Sequence, residues 1–272
     1  MGLRVNTNIA AINASRVLRR STLELNRSLE RLSSGLRINR AADDAAGLAI
    51  AEGLRSEVLG SRVAQRNSQD GINLVQTAEG ALTETTNALQ RIRELAVQAA
   101  NGTNSLGNRV ALDAEVQQLL AQIDTIAVDT QFNGIFILSA AVTITLQRGP
   151  EVSQTLQIVV GGAKTSDLGV NTVNITGMAQ AVSAISTIDT ALEKVTSLRA
   201  SFGAAQNRLE FTIRTLAIQE ENSAASESAI RDVDIAQETI TFTRNQILVS
   251  AGTSVLAQAN IIPQTALQLL GG

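Results

Sequence analysis

The chain contains no cysteine and no histidine. Absent cysteine removes disulfides, thiolate chemistry and Cys-based metal sites. Absent histidine removes the commonest metal ligand and the usual general base near neutral pH. Tryptophan and tyrosine are missing too, and only five Phe remain. Ala, Leu, Ile and Val must therefore build the interior, which suits closely packed helices. The two prolines, Pro150 and Pro263, leave long stretches free for uninterrupted helix. No apolar run is long enough to span a bilayer. The opening stretch lacks the continuous apolar core of a cleavable secretion signal. The net charge of -3 and the lack of an aromatic–basic stacking surface argue against a nucleic-acid partner.

Charge is also missing from one end. The last charged residue is Arg244. Beyond it Ile247, Leu248, Val249, Val255, Leu256, Ile261, Ile262, Leu267, Leu269 and Leu270 alternate with Gln, Asn, Ser and Thr. Chain ends are normally exposed and polar. A half-apolar, uncharged end is expected to be buried, and an assembly of many copies offers the place. An isolated amphipathic helix lying on a membrane fits less well, because the segment lacks the Lys/Arg face such helices use.

What is present has helical period at both ends of the chain. Leu18, Thr22, Leu25, Leu29, Leu32 and Leu36 follow a 4-3-4-3-4 spacing, close to the coiled-coil repeat. Gly35 and Asn39 to Asp44 interrupt it. A second run carries Ile72, Val75, Ala78, Leu82, Leu89, Ile92 and Ala96 and stops at Asn101-Gly102. A third carries Leu112, Val116, Leu119, Ile123 and Ile126 and stops before Asn133-Gly134. The period then changes to two. Val142, Ile144 and Leu146, and after the turn residues around Gly149-Pro150, Leu156, Ile158 and Val160, predict a β-hairpin. Heptads resume with Ile185, Ile188, Leu192, Val195, Phe202, Leu209, Ile213 and Leu216. A last helix is expected to start near Ser226 or Ser228. The expected fold is mainly α: a long antiparallel helical bundle formed by the N- and C-terminal segments, with a small β-hairpin in mid-chain, placed at the far tip.

Long strings in order resemble bacterial flagellin. They include Val5-Asn6-Thr7-Asn8, Leu32-Ser33-Ser34-Gly35-Leu36-Arg37-Ile38-Asn39, Ala42-Asp43-Asp44-Ala45-Ala46-Gly47-Leu48-Ala49-Ile50 and Asp70-Gly71-Ile72-Asn73-Leu74. Further on stand Arg91-Ile92-Arg93-Glu94-Leu95-Ala96-Val97-Gln98, Gln131-Phe132-Asn133-Gly134 and Gly203-Ala204-Ala205-Gln206-Asn207-Arg208-Leu209. Ile230-Arg231-Asp232-Val233-Asp234 and Ala251-Gly252-Thr253-Ser254-Val255-Leu256 complete the series. The resemblance implies the structural subunit of a flagellar filament, a homopolymer used for swimming and exported unfolded through the flagellar secretion channel. Only about 35 residues stand where the family often carries a large variable region, so a minimal subunit without outer domains is expected. The resemblance divides the chain into residues 1–40 as an N-terminal inner-core helix and 41–176 as the N-terminal outer bundle with the hairpin. Residues 177–228 follow as the C-terminal outer helix and 229–272 as the C-terminal inner-core helix. It further implies an export chaperone, filament cap and hook–filament junction proteins as partners, and no cofactor. A junction protein is the rival reading, because it shares the helical ends.

Three sets of residues stand out. The inner-core assembly set is Leu18, Leu25, Leu29, Leu32, Ile247, Leu248, Val255, Leu256, Ile261, Leu267 and Leu270. Asn39, Asp43 and Asp44 mark a bend between core layers. Adjacent carboxylates on a helix diverge by roughly 100°, and no third acid stands at ligand spacing, so a helix start is a better reading than a metal site. Arg91, Leu95 and Glu115 match, by resemblance, positions at which a toll-like receptor of innate immunity binds flagellins. In a filament the same face would be an intersubunit contact. Some flagellins carry a metallopeptidase insert with an H-E-x-x-H helix, which a chain without histidine cannot provide.

Overall fold

The computed structural model describes residues 7–270, apart from the side chains of residues 262–264 and 266–270. Six helices and two small antiparallel strand pairs form it. Helix α1 (Ile9–Ser34) begins where Ala11 N–H donates to the Asn8 side chain at 3.0 Å. It ends at Gly35, whose φ of 73° is the left-handed turn that glycine adopts without strain. Helix α2 (Ala45–Ala100) is started by Asp44, which accepts from Gly47 N–H at 2.8 Å. Helix α3 (Leu106–Asp129) has Ser105 as its N-cap. The turn Asn133-Gly134, with φ of 49° and 78°, joins the two-residue strands β1 (Gln131–Phe132) and β2 (Ile135–Phe136). Such paired positive angles belong to a tight hairpin turn.

The alternation read at residues 142–160 is a hairpin. Strand β3 (Val142–Gln147) pairs with β4 (Thr155–Val160) in the register Val142↔Val160 to Gln147↔Thr155. One short helix, α4 (Thr165–Leu168), follows before α5 (Met178–Arg231) and α6 (Ile235–Leu270). The break between the last two helices falls later than Ser226 or Ser228. Helix α5 runs through both serines, whose neighbourhood is rich in good helix formers. Asp232-Val233-Asp234 ends it, and Asp234 accepts from Gln237 N–H at 3.1 Å as α6 begins.

The chain divides into two compact units, Met1–Ser56 with Asn222–Gly272 and Glu57–Glu221. Within the first, α1 and α6 run antiparallel. Asn8 donates to the Ala259 carbonyl at 2.7 Å, Gly252 packs on Leu18, and Arg31 pairs with Glu238 at 3.6 Å. The buried positions of this seam are small or polar: Ser21, Ser28, Glu238, Asn245 and Ala259. They recur at multiples of seven, so the pair keeps coiled-coil spacing without a leucine core.

The second unit holds the apolar core. Leu82, Leu89 and Ile92 of α2 meet Val116 and Ile123 of α3, Ile158 and Val160 of β4, and Ile188, Phe202 and Leu209 of α5. Acidic side chains of α3 hold the segment after the hairpin. Asp124 accepts from Thr165 N–H at 2.8 Å, and Asp113 accepts from Ile175 N–H at 2.9 Å. The hairpin is not at the tip. Gly71 lets Leu146 approach α2, Asn67 donates to the Gln147 carbonyl at 3.1 Å, and Leu198 of α5 lies against Gly161. It lies flat along both helices because a two-stranded sheet needs an apolar surface to cover one face.

Candidate assembly surface

Two helix breaks meet in the first unit. Leu36 and Asp232 form an isolated antiparallel bridge. Arg37 N–H donates to the Arg231 carbonyl at 2.6 Å, and Val233 N–H donates to the Gly35 carbonyl at 3.0 Å. The Arg37 guanidinium also donates to the Ile230 carbonyl. Backbone groups that each break releases from its helix thus satisfy one another. Ile38 is buried beneath, and Arg231 pairs with Glu52 at 2.8 Å.

Asn39, Asp43 and Asp44 all lie in this bend. Asp43 Oδ2 accepts from Arg40 N–H at 3.0 Å and from Asn39 N–H at 3.2 Å. The backbone hydrogen bond from Arg40 holds the Asp43 carboxyl below its ordinary pKa against the opposing desolvation, with the Asn39 amide, Arg31 and Arg27 adding to the lowering. Asp44 caps α2. Among the described residues no three His, Cys, Asp or Glu are grouped to hold a metal ion.

The inner-core set separates into two faces. Leu18, Leu25, Leu32 and Leu256 are half-buried. Leu29, Ile247, Leu248, Val255 and Ile261 are exposed, and Ile9, Ile12, Val17, Leu23 and Ile240 join them. The side chains of Leu267 and Leu270 lie outside the described residues. A water-facing apolar surface on this scale marks an interaction site.

The structure brings Arg91 and Glu115 together but not Leu95. The Arg91 guanidinium donates to Glu115 Oε1 at 2.9 and 3.0 Å and to Glu94 at 3.0 Å. Its pKa rises, chiefly through the Glu115 hydrogen bond. Leu95 is 1 % exposed and faces the core, so a spacing of four does not place it on the Arg91 surface. Sequence reasoning missed the Leu36–Asp232 junction. The only signal was two helix breaks in the sequence, and nothing in either said that they meet.

A family model described as the bacterial flagellin N-terminal helical region matches residues 5–143, and one described as the bacterial flagellin C-terminal helical region matches residues 185–270. The chain belongs to the bacterial flagellin family. A flagellin of Halalkalibacterium halodurans is 47 % identical over 269 residues, covering 98 % of this chain and 99 % of that one. A flagellar filament 33 kDa core protein of Treponema phagedenis is 44 % identical over 283 residues, with the same coverage. A solved structure described as a flagellar hook-associated protein of Vibrio parahaemolyticus shares the fold alone, at 11 % identity and a TM-score of 0.58 over 70 % of this chain and all of that one. No variable outer domain is evident in this flagellin: between the two helical regions, residues 5–143 and 185–270, stand only residues 144–184. Flagellins are structural proteins, and this chain is not an enzyme. No helix among the described residues is long and apolar enough to cross a membrane.

Proposed function

We propose that this chain is the structural subunit of a bacterial flagellar filament, a tubular homopolymer that serves swimming. The observation that carries this reading is the apolar surface left in water on both α1 and α6. Burying it against neighbouring copies removes that surface from solvent, and each fully buried Leu or Ile contributes roughly 1.5–3 kcal/mol. In this reading residues 1–40 and 229–272 form the inner layer of the tube. Residues 41–176 and 177–228 form the outer bundle. The subunit leaves the cell unfolded through the flagellar secretion channel and works outside it. An export chaperone covers the apolar C-terminal stretch before export. Cap and hook–filament junction proteins contact it at the ends of the filament. The Arg91–Glu115 surface serves as an intersubunit contact, and on released monomer as the contact for a toll-like receptor.

Electron microscopy of purified protein tests the reading. The full chain grows micrometre-long tubes on its own, as a junction protein does not. A chain ending at Val249 keeps the helical circular dichroism of the second unit and forms no tubes. Ordinary filaments from that shortened chain would overturn the proposal.

A further inference from the structure

An open groove of about 580 Å³ in the first unit runs between α1 and α6 and is lined by Ile12, Ser15, Arg16 and Arg19 with Leu256 opposite. Its lining mixes apolar Ile12 and Leu256 with the cations Arg16 and Arg19. From Asn8 to Leu23 the chain carries Arg16, Arg19 and Arg20 and no acidic residue. Like charges three and four positions apart on a helix repel. Arg16 donates to Asn13, a neutral partner, at 3.0 Å. From Asn245 to the end of α6 the facing helix has no charge at all. The nearest acid, Glu24, is paired with Arg27 at 3.4 Å. The groove is therefore a site of uncompensated positive charge that its own chain does not neutralise.

The matching surplus of the opposite sign lies at the junction of the same unit. Asp43, Asp44, Asp232 and Asp234 are all exposed there, against the cation Arg37, whose guanidinium donates to the Ile230 carbonyl rather than to an acid. Glu52 and Glu30 already occupy Arg231 and Arg40 at 2.8 and 2.9 Å. From Arg19 to the end of α1 is 15 residues, roughly 22 Å of helix, well beyond the roughly 8 Å over which exposed charges act at physiological salt. One copy cannot bring its own two patches together.

We propose that the groove receives the acidic junction of a second copy, head to tail. This rests on the filament reading and deepens it. A contact between two different patches does not close on itself, so it generates an open polymer. Opposite charge sets the polarity and register of that contact, and apolar Ile12 and Leu256 supply the buried area.

The test is a charge swap in purified protein. Variant one carries Arg16→Glu and Arg19→Glu, and variant two carries Asp232→Arg. Both keep wild-type circular dichroism and melting, because the changed side chains are exposed. Each alone has a critical concentration for polymerisation raised at least tenfold. Mixed in equal amounts they copolymerise at a lower concentration than variant one alone, since the new cation at the variant-two junction then meets a reversed groove, while Asp43, Asp44 and Asp234 keep the recovery partial. If variant one polymerises like wild type, the groove contact is wrong while the filament reading stands. If both variants fail and the mixture fails as well, the junction is not the occupant and the proposal falls. If the wild-type chain itself never polymerises, the filament reading falls with it.

Discussion

Replacing Ile247 and Val255 together by Ser removes two apolar side chains from the exposed face of α6 and should block assembly without unfolding the subunit. In the monomer they are 62 % and 58 % exposed, so about three-fifths of each remains to be buried by a neighbour. Full burial of such a side chain contributes roughly 1.5–3 kcal/mol. The remaining share is then about 1–2 kcal/mol each, or roughly 2–4 kcal/mol for the pair. At tenfold for every 1.4 kcal/mol, the critical concentration should rise by about 30-fold at least and approach a thousandfold at most. The monomer should hardly notice. Serine and isoleucine have similar helix propensity, and exposed substitutions usually change stability by less than about 0.5 kcal/mol. Sedimentation of seeded polymer across a concentration series gives the first number, and thermal melting followed by circular dichroism gives the second. An unchanged critical concentration with an intact monomer would refute the idea that this face drives assembly.

Phe202→Ala acts on the other unit. The ring is fully buried, so the change should cost about 3–5 kcal/mol and lower melting by roughly 10 °C; calorimetry showing no shift would place Phe202 outside the core. Monomer stability should be nearly flat between about pH 6 and 8, because no histidine is present to titrate. Asp43 and Glu220, the latter through its hydrogen bond with Arg62 and then Gln65, have folded pKa values lowered from the ordinary range. Their contribution is present above the unfolded pKa and is lost as pH falls through the folded one, so melting should drop only below about pH 4. A transition midpoint near pH 7 in a pH–melting series would contradict this. Arg91→Asp breaks the Glu115 pair and should leave the monomer melt unchanged while weakening both assembly and receptor signalling; the proposed role fails if neither changes.

The helices and the hairpin were legible because their signals are local. Leu18, Leu25 and Leu32 repeat at seven, and Val142, Ile144 and Leu146 repeat at two. What remained hidden depended on partners distant in sequence. Ser226 and Ser228 look like helix starts in isolation, yet α5 continues to Arg231 because the pairing of Leu36 with Asp232 decides where it stops. The hairpin reads as a tip until Gly71 gives Leu146 a place against α2. Arg91 and Leu95 share a helix, but α3 and α5 bury one side of it and leave the other in water. The half-buried leucines of α1 were visible, whereas the seam beside them, Ser21, Ser28 and Asn245, was not, since serine and asparagine are read as surface.

That seam bears on the subunit's passage from cell to filament. Hydroxyls and an amide between two helices fix alignment better than they resist separation. A chain that must travel extended through a narrow channel benefits from ends that unzip easily. In the proposed filament the same polar pairs would steer both ends into register on arrival, and the durable grip would come from adjoining copies closing over the outer faces. A tougher, leucine-filled seam would make a sturdier lone molecule and a poorer traveller.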